Sequence, residues 1–211
     1  INQAVLSCVP KNTKRLLDVG CGNGWLGREV KKNGSCYVIG ITISQEESAL
    51  ASQYLDQVIV FDLNNLDTSG LGKFDCIVCS HVLEHLYQPH DFLSKIRDNL
   101  SSDGILIVAL PNIVFWKLRW QFLRGRFKYI DTTATDRGHF RFFDWQGAHE
   151  LLEENGYKII RSEAEGNFPL PVIRGFLPRA VSSWIDRAAL KYLPNFFGVQ
   201  SILVACLAAS E

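Results

Sequence analysis

LLDVGCGNG, residues Leu16 to Gly24, carries the strongest structural signal in the chain. A short apolar run ends in Asp18, and glycines follow at positions 20, 22 and 24 before a helical pattern begins at Trp25. Glycines let a backbone turn sharply and let a ligand approach without a Cβ clash. The helix N-terminus just beyond favours an anionic group such as a carboxylate. Gly22-Asn-Gly24-Trp-Leu-Gly27 also satisfies the G-x-G-x-x-G pattern of dinucleotide sites. That pattern should open directly off a strand, whereas here it starts three residues after Val19 with Gly20 already used. The frame that does open off the strand is Asp18-x-Gly20-x-Gly22-x-Gly24. Its acid can hold an amino group or order the loop, and it would repel a pyrophosphate.

Outward from this loop, short apolar runs alternate with helical patterns, the rhythm of βαβ units in a doubly wound α/β domain. Strands are expected at Arg15–Val19, Cys36–Thr42, Val58–Phe61, Phe74–Ser80 and Ile105–Leu110, and helices at Trp25–Lys32, Gln45–Tyr54 and Asp91–Leu100. Asn33-Gly34 should end the first helix, and Asp103-Gly104 should turn the chain into the fifth strand. Asp144 reads as the N-cap of a further helix that stops at Asn155-Gly156. Strands at Tyr157–Glu165 and Gly198–Leu207 follow.

The chain has 211 residues, 47% of them hydrophobic, enough for one sizeable core in a single domain, residues 1–211. Lys+Arg and Asp+Glu tie at 22 each, which argues against a nucleic-acid partner. The longest apolar runs, Ile105 to Leu110 and Ile202 to Ala209, fall well short of the ~20 residues of a spanning helix. The chain opens at Ile1 without a charged-then-apolar leader and contains no Met, which predicts that its native N-terminus lies upstream. Six cysteines show no disulfide framework, so a reduced, cytoplasmic location is expected. Cys76-x-x-Cys79 sits in an apolar strand whose geometry points the two thiols to opposite faces, and no metal site is expected.

At this point the sequence resembles the class I S-adenosylmethionine-dependent methyltransferases of the small-molecule branch, over at least Arg15 to Leu110. The resemblance implies a Rossmann-like fold with a mostly parallel seven-stranded sheet whose last strand is antiparallel. Asp18, Gly20, Cys21 and Gly22 match the loop that holds the methionine part of S-adenosylmethionine. In VIVFDL, Asp62 would accept from the adenine amino group and the Leu63 backbone would meet the ring. In FDCIVCSHVLEHL, Ser80 and His81 would line the methionine end, while His81, Glu84 and His85 face the substrate. Most of the family carries an acid at the end of the second strand, but here VIGITIS puts Thr42 there, followed by Ile43. A hydroxyl cannot accept two charge-assisted bonds. A subgroup that includes the cyclopropane-fatty-acid synthases shares this pattern and grips the ribose with a polar residue five positions on, here Glu47. The alternative is that Ser44 caps the helix and Glu46 and Glu47 complement its dipole.

Methyl transfer to a hydroxyl requires alignment, exclusion of water and removal of a proton. Histidine suits the last task, and there are five: His81, His85, His90, His139 and His149. His90 and His149 fall on surface helices. His81, Glu84 and His85 follow a central strand, where open α/β sheets bind ligands. His139, in DRGHFRFFDW, resembles the histidine of methyltransferases acting on glycans and lipids, and Arg141 beside it could clamp an anion. His139 is thus the first candidate base, ahead of His85 and Glu84. No Asn/Asp-Pro-Pro-aromatic motif follows the fourth strand, and no proline precedes Cys79-Ser80. O-methylation of a small-molecule, sugar or lipid-linked acceptor is the expected function. A nicotinamide-dependent oxidoreductase and a non-catalytic cofactor-binding scaffold are the competing readings.

Residues 111–143 and 167–197 are expected to form a helical cap over the substrate. Within the first, Pro111–Ile130 holds five cations, Lys117, Arg119, Arg124, Arg126 and Lys128, no acid, and six aromatics, Phe115, Trp116, Trp120, Phe122, Phe127 and Tyr129. The segment reads either as a solvated amphipathic helix or as a lid at a membrane surface. In the lid reading, Arg124 and Arg126 meet an anionic group and Trp116 and Trp120 cover the apolar part of the acceptor.

Overall fold

Apolar runs with no polar alternation have no wet face, so they settle at the centre of a sheet covered on both sides. Arg15–Val19 (β1), Tyr37–Thr42 (β2) and Phe74–Ser80 (β4) are such runs; β1 and β2 are buried after their first residues, and β4 except at Asp75 and Ser80. The computed structural model, which describes residues 2–32, 34–65, 67–169 and 177–209, pairs β1 in parallel with both of the others. Gln57–Val60 (β3) extends the parallel sheet beyond β2, and Leu100–Pro111 (β5) extends it beyond β4. Gly198–Leu207 (β7) lies antiparallel between β5 and Tyr157–Gly166 (β6), giving the order β3-β2-β1-β4-β5-β7-β6. The doubly wound, mostly parallel, seven-stranded sheet expected from the sequence is present.

Alternation along the strands divides the core into two layers. Leu17, Val19, Ile39, Ile41, Ile77 and Cys79 pack with Phe92, Leu93 and Ile96 of helix Pro89–Arg97 (α4) and with Leu151 and Leu152 of helix Trp145–Glu154 (α6). Leu16, Val38, Cys76, Val78 and Ile107 face the other way. They meet Val5 of helix Gln3–Cys8 (α1), Val30 of helix Trp25–Lys32 (α2) and Ala51 of helix Gln45–Ala51 (α3). Cys76 and Cys79 thus sit on opposite faces, and burial drives both thiols far above the ordinary cysteine range. Each fully buried Leu or Ile stabilises the fold by roughly 1.5–3 kcal/mol.

Most element ends differ from the sequence reading by no more than two residues, but three differ by more. α3 ends at Ala51 rather than Tyr54. α4 ends at Arg97, and β5 begins at Leu100. The Asn99 side chain donates to the carbonyls of Thr68 and Gly72, which stops the helix and feeds Leu100 onto Phe74. The register then shifts between Phe74 and Cys76, so Asp103-Gly104 lies in a bulge within β5 and not in a turn before it. Asn33, expected to end α2, is outside the described residues. Of the expected cap, residues 111–143 contain helix Trp116–Leu123 (α5), and residues 167–197 contain helices Arg179–Tyr192 (α7) and Pro194–Phe197 (α8). Residues 170–176 are outside the described set.

Gly27 accounts for the coincidental dinucleotide pattern. A Cβ there would stand 2.4 Å from Leu55 Cδ2 and 2.8 Å from Val38 Cγ1, so its role is close packing of α2 on β2. Helix propensity alone says that Gly27→Ala stabilises by about 1 kcal/mol. Overpacking of a tight core costs about 1–3 kcal/mol and should win. Denaturant melts should therefore show a lower midpoint for Gly27→Ala; a higher one would mean that Leu55 yields freely.

Candidate active site

Parallel strands deliver all their outgoing loops to one edge of the sheet, and the loops after β1, β2, β3 and β4 meet there around a groove of about 370 Å³. Gly20 and Gly22 form its floor with φ of 70° and 50°, a region that side-chain-bearing residues rarely enter. A Cβ on Gly20 would stand 2.6 Å from Val82 Cγ2. The Cys21 amide donates to the Ile41 carbonyl and ties the loop to β2, while its buried thiol, pushed up to about 12, packs against Gly40. Asp18 is 3% exposed, and its Oδ2 lacks a hydrogen-bond partner. Burial pushes its carboxyl up to about 7.

The end of β2 shows how Glu47 is held. Ser44 caps α3 by accepting from the Glu47 amide at 3.2 Å. In a capping box the Glu47 carboxylate would reach back to the Ser44 amide, but that amide donates instead to Thr42 Oγ1. The Thr42 hydroxyl in turn donates to Glu47 Oε2 at 2.5 Å. Glu47 Oε1 stands 3.8 Å from where a Cβ of Gly22 would be, inside the groove. Thr42 and Glu47 together thus present the acid that Thr42 alone lacks. Across the groove, Asp62 Oδ1 accepts from the Asn64 amide and side chain, both at 2.9 Å, which fixes the turn that carries Leu63.

A second cavity of about 600 Å³ adjoins the first, and His81 and His85 line both. Glu84 is fully buried in its wall, with Oε1 3.2 Å from His81 Nδ1 and Oε2 without a partner. His81 adopts φ 56° and is held there by its amide bond to Ala109 and by Gln200, 2.8 Å from its Nε2. Partial desolvation opposes charge on His81, but the hydrogen bond and charge of Glu84, aided by Gln200 and Glu165, outweigh it and raise the imidazole above its usual range. His85 donates from Nδ1 to the Gly138 carbonyl at 2.9 Å, and His139 directs Nδ1 at the Ala134 carbonyl at 3.3 Å. The two rings meet edge-on with centroids 4.6 Å apart. Asp136 closes the loop by accepting from the amides of Gly138 and Thr132, which hold its carboxyl below the usual range.

The groove therefore assembles Gly20, Gly22, Thr42, Ile43, Glu47, Asp62, Leu63, His81 and His85, and the second cavity assembles His81, Glu84, His85 and His139. Asp18, Cys21 and Ser80 do not line either one. Arg141 lines neither cavity: its guanidinium donates from Nε and Nη2 to the Tyr87 carbonyl and fastens its segment to the loop after β4. Nor do Trp116, Trp120, Arg124 and Arg126 line the second cavity, which Phe115 alone reaches from α5 and its N-cap. Phe61, Asn64, Val82 and Gln200 were not anticipated. Asn64 could have been found from its place two residues beyond Asp62; Gln200 comes from the last strand and has no local signal.

These residues fit S-adenosylmethionine. The two glycines clear space at the loop, whose buried Asp18 keeps an unpartnered oxygen beneath it, and the Thr42–Glu47 pair and Asp62 offer oxygens along the groove. A family model described as a methyltransferase domain matches residues 2–162, and the chain belongs to that family. S-adenosylmethionine is the family's cofactor. An ubiquinone biosynthesis O-methyltransferase of Glaesserella parasuis is 31% identical over 109 residues, 47% of this chain and 46% of that one. The chain thus spans about half the length of the curated relatives it matches. Among solved structures, a SAM-dependent methyltransferase from Archaeoglobus fulgidus superposes with a TM-score of 0.65 at 20% identity, covering 92% of this chain and 86% of the other. An S-adenosylmethionine-dependent methyltransferase from Mesorhizobium loti gives 0.63 at 18%, covering 96% and 95%. The family assignment corrects the oxidoreductase reading.

Asp18 makes the ligand-free protein pH-sensitive. Its folded pKa, about 7, lies above the ordinary 3.8, so its contribution to stability is complete below about pH 4 and is lost as pH rises through about 7. Asp18→Asn cannot ionise. The stability of the native protein relative to Asp18→Asn should fall steadily between those values in denaturant titrations, and a constant difference would show that Asp18 ionises freely.

Proposed function

We propose that the protein transfers a methyl group from S-adenosylmethionine to an oxygen of a small-molecule acceptor, sugar- or lipid-linked, held in the 600 Å³ cavity. The observation that carries this reading is that the cofactor groove and the histidine-lined cavity adjoin at His81 and His85. S-adenosylmethionine, when bound, supplies an activated methyl group on its sulfonium. The protein then has to hold the acceptor oxygen in line with that methyl and dispose of its proton. Nδ1 of His85 and His139 is directed at backbone carbonyls, so the tautomer that donates there carries its lone pair on Nε2. That pair is the acceptor-side machinery, and Glu84 supplies negative charge behind it. Thr42, Glu47 and Asp62 bind and orient the cofactor. The O-methyltransferase names of the sequence relatives favour an oxygen acceptor.

Incubation of a metabolite and lipid extract with the protein and deuterated-methyl cofactor should yield one labelled product by mass spectrometry. Calorimetry should show S-adenosylhomocysteine binding weakened at least tenfold by Glu47→Ala, about 1.4 kcal/mol, and little changed by Glu46→Ala. Equal, small effects would return both acids to helix capping.

The same reading extends to peripheral membrane contact through residues 111–130. Trp120, Phe122, Leu123, Phe127, Tyr129 and Ile130 are exposed together, and Arg124 stacks on Trp120 at 4.5 Å. Among the described residues no helix is long and apolar enough to cross a membrane. Cations flanking exposed Trp and Phe suit an interfacial position on anionic lipid. Co-sedimentation with anionic liposomes should exceed that with neutral ones and should drop severalfold for the Arg124→Ala/Arg126→Ala double variant. Indifference to both lipid charge and substitution would leave the segment a solvated cap.

A further inference from the structure

The second cavity holds more than a base. Glu84, His85 and His139 each present one donor atom, a carboxylate oxygen or a ring nitrogen, and the three lie within 4.8 Å of one another. They come from two separated stretches of chain, brought together because the Phe140 and Arg141 amides both donate to the Glu84 carbonyl, at 2.8 and 3.1 Å. Three details set this trio apart from an ordinary polar cluster. Glu84 is 0% exposed and still has an unpartnered oxygen, Oε2, which costs about 1–3 kcal/mol unless something meets it. Both histidines direct Nδ1 at backbone carbonyls, the arrangement that fixes a metal-binding imidazole and leaves Nε2 for the ion. Among the described residues neither Nε2 has a hydrogen-bond partner. His81 holds the other Glu84 oxygen from behind.

We infer that Glu84, His85 and His139 form a binding site for a divalent transition-metal ion in the wall of the acceptor cavity. Two imidazoles and one carboxylate select zinc-like ions over magnesium or calcium, which take oxygen donors. Coordination at about 2.0–2.2 Å would draw the donors to roughly 3–4 Å apart, a contraction that side-chain rotation of the half-buried His139 can supply. Three protein ligands leave coordination positions open, and the cavity is where they open. An acceptor oxygen would fill one. The chemical role of the ion rests on the methyl-transfer reading above: an ion held by His85, His139 and Glu84 would act as a Lewis acid that polarises an acceptor hydroxyl and eases loss of its proton. The existence of the site does not depend on that reading.

The test uses the full chain stripped with a chelator. Cobalt(II) alone is titrated and followed by visible absorption, zinc alone by calorimetry, and S-adenosylhomocysteine binding is measured on the same samples. One equivalent of metal should bind saturably. His85→Ala and His139→Ala should each weaken it at least tenfold, while His149→Ala, whose ring bonds the Trp145 carbonyl on α6, should not. Glu84→Gln should also weaken it, and because that substitution is buried, the His139→Ala result decides if Glu84→Gln fails to fold. Absence of saturable binding, or binding indifferent to His85 and His139, overturns the metal site. If S-adenosylhomocysteine still binds in that case, the methyltransferase reading stands alone. Metal binding without S-adenosylhomocysteine binding would sink that reading and leave the metal site.

Discussion

Burial of β1, β2 and β4 on both faces is the constraint on which the rest of the molecule depends. A strand with two apolar faces can be covered only by helices on both sides, and parallel pairing then sends every outgoing loop to the same edge. The loops that follow Val19, Thr42, Val60 and Ser80 converge for this reason. The polar residues of the groove sit at the ends of these apolar runs or in the loops just beyond them: Thr42 closes β2, Asp62 follows β3, and His81 follows β4.

That edge is where the fold tolerates unfavourable electrostatics. Three buried side-chain atoms lack partners among the described residues, and two of them are carboxylate oxygens, Asp18 Oδ2 beneath the glycine loop and Glu84 Oε2 in the wall of the second cavity. Burying a carboxylate without compensation is strongly unfavourable, so the apo protein either protonates it or leaves it waiting for a donor. For Asp18 burial raises the carboxyl to about 7. Glu84 has His81 on one oxygen, and His81 accepts a positive φ to be there.

The segment from Thr132 to Phe143 illustrates how a loop becomes part of a site without regular structure. Its amides at Phe140 and Arg141 bond the Glu84 carbonyl, its Arg141 side chain bonds the Tyr87 carbonyl, and Asp136 ties the Thr132 and Gly138 amides together. These bonds carry His139 to His85. By contrast, α5 and the residues after it face solvent with most of their aromatics.

The sequence by itself determined the sheet and the cofactor edge. Hydrophobic runs, the Asp18-x-Gly20-x-Gly22 frame and the Thr42 departure are local signals, because burial, φ > 0 and strand ends are written in consecutive residues. It kept open whether Glu47 grips a ribose or only complements the dipole of a helix capped by Ser44; the hydrogen bonds show Ser44 capping and the carboxylate accepting from Thr42. Only the tertiary structure decided that Arg141 fastens a loop, that Arg124 and Arg126 lie away from the acceptor cavity, and that Gln200 joins His81. The convergence of Glu84, His85 and His139 was equally hidden. Those facts depend on which carbonyls and side chains meet across more than fifty residues of chain, and no local periodicity encodes such a meeting.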